Sequence, residues 1–138
     1  MSMTTSQPNI SAIDAALAIA ARIAFNSVMI TSVQPDKLGT PIAYVNAAFT
    51  QLTGYTAEEV MGKTPAILQG PKTDQAVLHR LRENLSRGEG FHGLAINYRK
   101  DGSEFLMEWK IAPLRNDQDQ ITHFVAVQRE APMREAIL

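Results

Sequence analysis

The chain has 138 residues, with 13 Lys+Arg against 14 Asp+Glu, three His and no Cys. That length suits one domain able to bury a core without metal or disulfide staples, and a net charge of −1 argues against electrostatic capture of nucleic acid or anionic lipid. The missing cysteine excludes disulfides, thiolate metal sites, a Cys nucleophile and any covalent Cys–cofactor bond.

No apolar run reaches the roughly 18 residues that a membrane helix needs, and the start, MSMTTSQPN, lacks the basic-then-apolar order of a secretory signal. Cytoplasm is the expected location. From Ile10 to Phe25 the sequence predicts an Ala-rich helix with Asn9 or Ser11 as N-cap. Ile13 with Leu17, and Ile19 with Ile23, are i,i+4 pairs, and Asp14 and Arg22 are the only charges. Apolar surface this wide predicts burial on more than one side.

SVMITSV reads as a strand, followed by a Pro/Asp/Gly turn and a second strand from Pro41 to Val45. Asn46 can cap a short helix that Gly54 ends, and Thr56 to Glu59 is a capping box opening another that stops at Gly62. KTPAILQGPK reads as a loop. Thr73 or Asp74 then starts a longer helix, with Leu78, Leu81 and Leu85 on one face and Gly88 at its end.

The last third is β. Gly93–Lys100 and Ser103–Leu114 flank Asp101-Gly102, a hairpin signal, and Ile121–Glu130 follows a second turn. The order β-β-α-α-α-β-β-β predicts an α+β domain, a five-stranded antiparallel sheet with helices on one face. Leu94, Ile96 and Tyr98 alternate with Ala95, Asn97 and Arg99, while Val125 and Val127 alternate with Phe124, Ala126 and Gln128. Both sheet faces are thus partly apolar. The helix at 10–25 is the expected cover of the outer one, either folded back or donated by a partner chain.

These words in this order, YVNAAFTQLTGYTAEEVMGK, TPAILQGPKTD, INYRKDGSEFLMEWKIAPL and ITHFVAVQRE, resemble a PAS sensor domain. Within that superfamily they look like the flavin-binding LOV (light, oxygen, voltage) branch. The resemblance implies a tail and capping helix over 1–25, a PAS fold over 26–131 and a linker or tail over 132–138. The photoactive cysteine of that branch aligns with Pro65, and the Arg that forks onto the FMN phosphate aligns with Ala66.

The resemblance makes Thr64, Gln69, Arg82, Asn97, Met107 and Gln128 the cofactor-binding residues. Thr64 and Gln69 would meet the ribityl chain and Arg82 the phosphate. Asn97 would read the pyrimidine edge of the ring, and Met107 stands where a second Asn is usual. Gln128 would face flavin N5 and O4, where the family's switch is a flipping amide. Alternation alone puts Asn97 on the less apolar face, in water; the resemblance puts it inside. A two-residue Asp101-Gly102 loop would pair Asn97 with Leu106, and a three-residue loop with Met107. Trp109 and Met107 are first of all core residues by their strand spacing.

The three His lack metal-ligand spacing, and no Ser-His-Asp order, Walker loop or paired catalytic carboxylate is present, so neither a metal site nor an enzyme is expected. Two functions stay open. One is a sensor that holds a flavin (FMN or FAD) non-covalently and reports its redox or light state. The other is a cofactor-free, or other small-ligand, dimerisation and relay module. Either implies a homodimer through residues 10–25 and the outer sheet face, an unidentified downstream signalling partner, and no nucleic acid or membrane.

Overall fold

A computed structural model describes residues 15–33 and 40–136. Helix α1 covers residues 15–23 of the described chain, and residues 10–14 of the expected helix lie outside it. Five strands follow: β1 (Ser27–Ser32), β2 (Ile42–Val45), β3 (Phe91–Tyr98), β4 (Glu104–Arg115) and β5 (Ile121–Ala131). Between β2 and β3 lie α2 (Ala47–Thr53), α3 (Ala57–Val60), a 3-10 turn (Pro65–Leu68) and α4 (Gln75–Ser86). A second 3-10 turn, Met133–Ala136, follows β5.

The sheet order is β2-β1-β5-β4-β3, with every neighbouring pair antiparallel. The expected α+β architecture is therefore the observed one. The chain's last strand inserts between β1 and the β3–β4 hairpin, so residues of β5 lie centrally and touch both halves.

The short helices rest on their caps. Asn46 Oδ1 accepts from Phe49 N at 3.1 Å, and Gly54 at φ 81° ends α2. Thr56 and Glu59 close the capping box of α3. Asp74, not Thr73, caps α4 through Ala76 N at 2.9 Å. Thr73 is instead buried, its hydroxyl donating to Ile96 O at 2.7 Å and accepting from Gly70 N at 3.0 Å. KTPAILQGPK is also not all loop: Pro65 opens its 3-10 turn, where a fixed φ and a missing N–H cost nothing.

The β3–β4 register differs from both expected pairings. Asn97 lies opposite Phe105, and Met107 opposite Ala95. The loop is Lys100-Asp101-Gly102, closed by Arg99 N to Ser103 O at 2.9 Å, with Gly102 at φ 88°. Lys100 leaves the ladder because its N–H donates to Thr53 O at the end of α2, at 2.8 Å. A contact from a distant helix thus moves the turn by one residue. Asn97 and Met107 remain diagonal neighbours on one face.

The apolar core has two parts. One gathers Met29, Ile42, Val45, Phe49, Val60, Leu68 and Ala126 under β1, β2 and β5. The other gathers Phe91, Ala95, Phe105, Met107 and Trp109 under β3 and β4. On the outer face, Leu106 and Ala131 are buried beside the C-terminal 3-10 turn, while Leu94, Ile96 and Val125 are half-buried and Val127 exposed. Helix α1 does not fold back over them: its residues are exposed apart from half-buried Ala21, as are Leu17, Ile19, Ile23 and Phe25. Of the two expected covers, the folded-back one is not what the described residues adopt.

Candidate functional site

A cavity of about 230 Å³ lies between the two parts of the core. Its floor is the inner face of the sheet and its far wall is α4 with the Pro65–Leu68 turn. All six residues singled out in the sequence line it: Thr64, Gln69, Arg82, Asn97, Met107 and Gln128.

The floor is buried. Asn97 is 4% exposed and Gln128 2%, so both amides point inward, as the resemblance implied and simple alternation did not. Met107 and Trp109 serve in the second core cluster and line the cavity as well. Trp109 is opposite Gln128 across β4 and β5, and its ring meets Phe91 at 5.6 Å between centroids.

Gln128 is held from β1. Ser27 Oγ donates to Gln128 Oε1 at 2.8 Å, and both side chains are buried. Asn97 Nδ2 donates to Ala95 O at 3.3 Å. Among the described residues neither Gln128 Nε2 nor Asn97 Oδ1 has a protein partner, and no fully enclosed side-chain N or O atom lacks one. Both residues line the cavity, so these two amide atoms are the ones left for a ligand there. A buried amide without any partner would cost about 1–3 kcal/mol, so the geometry suits a ligand or water that pairs with them.

The far wall is wetter. Thr64 caps the 3-10 turn by position only, since its hydroxyl makes no cap hydrogen bond. Thr64, Pro65 and Gln69 are half-buried, and Ala66 and Arg82 are exposed. Leu78, Leu81 and Leu85, the apolar stripe of α4, complete this side. The turn that carries Gln69 is clamped onto β3, where Tyr98 Oη accepts from Lys72 N at 2.9 Å. The Tyr98 ring lies so close to Gly70 that an added Cβ would sit 2.3 Å from it.

Sequence reasoning missed Ser27 and Thr31, both buried polar residues of β1 on the cavity side. The only local signal for Ser27 is a small polar residue opening an apolar strand; its partner is 101 residues away. Thr31 and the apolar liners Met29, Phe124 and Ala126 were visible only as strand residues.

Electrostatics around the sheet is confined to its outer face and rim. Glu108 on β4 lies between His92 (2.6 Å) and Arg129 (2.6 Å), whose hydrogen bonds hold its carboxyl below the usual range. Arg99 ties Leu52 O (3.1 Å) to Glu130 (2.7 Å) and covers the Phe105 ring at 4.6 Å. Among the described residues no group of three or more His, Asp or Glu is arranged to hold a metal ion.

A five-stranded antiparallel sheet in this order, its inner face closing a cavity under short helices, defines a single-sheet α+β domain built around an internal cavity. Residues 26–131 match the family model described as PAS domain. Phototropin-2 of Oryza sativa subsp. japonica is 38% identical over 90 residues, covering 65% of this chain and 10% of that protein. A blue-light photoreceptor of Listeria innocua serovar 6a is 34% identical over 105 residues, covering 76% of this chain and 41% of that one. The chain thus spans well under half the length of these relatives. Among solved structures, a light-oxygen-voltage domain studied with a flavin analogue superposes with a TM-score of 0.82 at 35% identity, covering 91% of this chain and 92% of that one. An RNA-binding light-oxygen-voltage receptor follows at 0.81 and 31% identity, over 91% of this chain and 35% of that one. The chain belongs to the PAS domain family, in its light-oxygen-voltage (LOV) branch of sensory domains.

Proposed function

We propose that this domain holds a flavin non-covalently in the cavity and reports its redox or light state without a cysteinyl bond. The observation that carries the reading is the pair of buried amides, Asn97 and Gln128, lining the cavity and each with one atom that no described residue pairs. A flavin ring offers polar edge atoms to such amides and an apolar face to Leu68, Trp109 and Ala126. Thr64, Gln69 and Arg82 would meet its polar chain on the wetter side. Met107 is a departure that removes one edge contact, since a thioether donates no hydrogen bond.

A bound flavin supplies a ring nitrogen that changes from hydrogen-bond acceptor to donor on protonation. The protein's part is to read that change. Gln128 can answer by rotating its amide, exchanging Oε1 for Nε2. Ser27 can follow, because its hydroxyl either donates or accepts, so the Ser27 bond survives in both orientations with its direction reversed. Asn46 continues the path, donating to Asn26 O at 3.1 Å and to Ala21 O in α1 at 2.7 Å. One rotated amide is worth about 1–2 kcal/mol by hydrogen-bond magnitudes, enough to bias an interface but not to refold a domain.

The output surface in this reading is a second copy of the chain, bound through residues 10–25 and the outer sheet face. The exposure of Leu17, Ile23 and Phe25, and of Val127 on the outer sheet face, favours it. No catalytic role is assigned to the domain. With Pro65 on the cavity wall and no sulfur nucleophile in the chain, blue light is expected to bleach the flavin-loaded protein without a thiol-adduct band. Recovery is then governed by oxygen. Light that leaves the loaded protein's spectrum unchanged, in air and without oxygen, would remove the light-sensing part of the reading.

A further inference from the structure

The cavity's charge distribution bears on which ligand it takes. Among its lining residues Arg82 is the only charged one; the remainder are apolar or carry neutral amides and hydroxyls. Arg82, on α4 beside the Leu78 and Leu85 positions, is exposed at the cavity's edge and makes no ion pair with a described residue. In the Pro65–Leu68 turn of the same wall, Ala66 is exposed and offers no donor beyond its backbone. All the buried polar recognition is at the other end, in Asn97, Gln128 and Thr31.

A terminal phosphate reaching the lip would meet one solvated guanidinium. An exposed ion pair of this kind contributes little, because water and salt screen it and a long side chain must be ordered to make it. The ring would meet the enclosed end of the site, where contacts are little screened, and the polyol chain the half-buried Thr64 and Gln69. Resting on the flavin reading above, we propose that the cavity recognises its ligand by ring and polyol chain and is nearly indifferent to the terminal phosphate. Riboflavin is then a ligand of this domain on nearly equal terms with FMN. Selection between them in a cell follows their concentrations.

The test is a titration of flavin-free protein with riboflavin and with FMN, read by flavin absorbance and fluorescence at an ionic strength of about 0.15 M. The two dissociation constants are expected to agree within about fivefold, the upper end of what an exposed ion pair supplies. Arg82→Ala should bring them together by weakening FMN alone, and Ala66→Arg should strengthen FMN beyond that limit without altering riboflavin. A preference of about a hundredfold or more for FMN in the unaltered chain overturns the phosphate indifference and leaves the flavin reading standing. Failure of both flavins to bind overturns the flavin reading itself, and this inference with it.

Discussion

Two buried side chains carry much of the organisation at the residue scale. Asn46 uses its whole amide: Oδ1 accepts from Val28 N (2.9 Å) and Phe49 N (3.1 Å), while Nδ2 donates to Ala21 O (2.7 Å) and Asn26 O (3.1 Å). It joins α1, β1 and α2 at one point. Asn46→Ala is expected to cost about 2 kcal/mol or more in urea unfolding, from the lost cap and the orphaned Val28 N–H. Asn46→Ser should recover the cap part of that loss. In both variants amide exchange in α1 should rise, because neither supplies the donor that Ala21 O uses. Gly70 is a second such point. Gly70→Ala pushes a methyl into the Tyr98 ring, and a loss of about 1–3 kcal/mol is expected. Tyr98→Ala in the same chain should relieve the clash, so the double variant should lose less than the sum of the two single losses.

Elements show where sequence reasoning worked and where it stopped. Capping residues Asn46 and Thr56, the Leu stripe of α4 and the Asp101-Gly102 turn were all legible, because each acts within a few residues of itself. The register of the hairpin was not, since Lys100 N is drawn to Thr53 O from another element. The Pro65–Leu68 turn spans four residues, too few for any periodicity to appear. The six residues named from the family resemblance line one cavity in the structure. Ser27 was not legible, because its role depends on β1 lying next to β5, which local pattern cannot fix.

The α3–hairpin contact also sets a pH dependence. Lys100 and the backbone N–H of Thr56 hold Glu59 at about 2, down from its ordinary 4.5. A carboxyl lowered by folding stabilises the fold fully above its unfolded value and loses that contribution as pH falls through its folded one. Urea midpoints are therefore expected to drop between about pH 4.5 and pH 2, and Glu59→Gln should flatten that part of the profile. Glu108, lowered by His92 and Arg129, should add to the same acid loss, so the Glu59 variant reduces the slope without abolishing it.

At the scale of the whole molecule, the cavity divides the core, and the fold accepts this because the sheet is continuous beneath both parts. β5 contributes Ala126 to one side of the division and reaches Trp109 on the other through Gln128. The strand that carries the inward amides is thus the one that joins the halves and also displays Val127 on the outer face. Helix α1 keeps Leu17, Ile19 and Ile23 in solvent, and no described element of the same chain covers them. In the dimer proposed above, truncation of residues 1–24 should leave a monomer in light scattering; an unchanged oligomer would show that the helix is not the contact.

The central claim is that the cavity holds a flavin, and the most direct measurement is the absorption spectrum of the purified protein, before and after incubation with FMN and FAD. The account predicts a yellow protein with a structured blue band, retained through dialysis against buffer and lost on unfolding as free flavin. A preparation that is colourless and stays colourless after both incubations contradicts it.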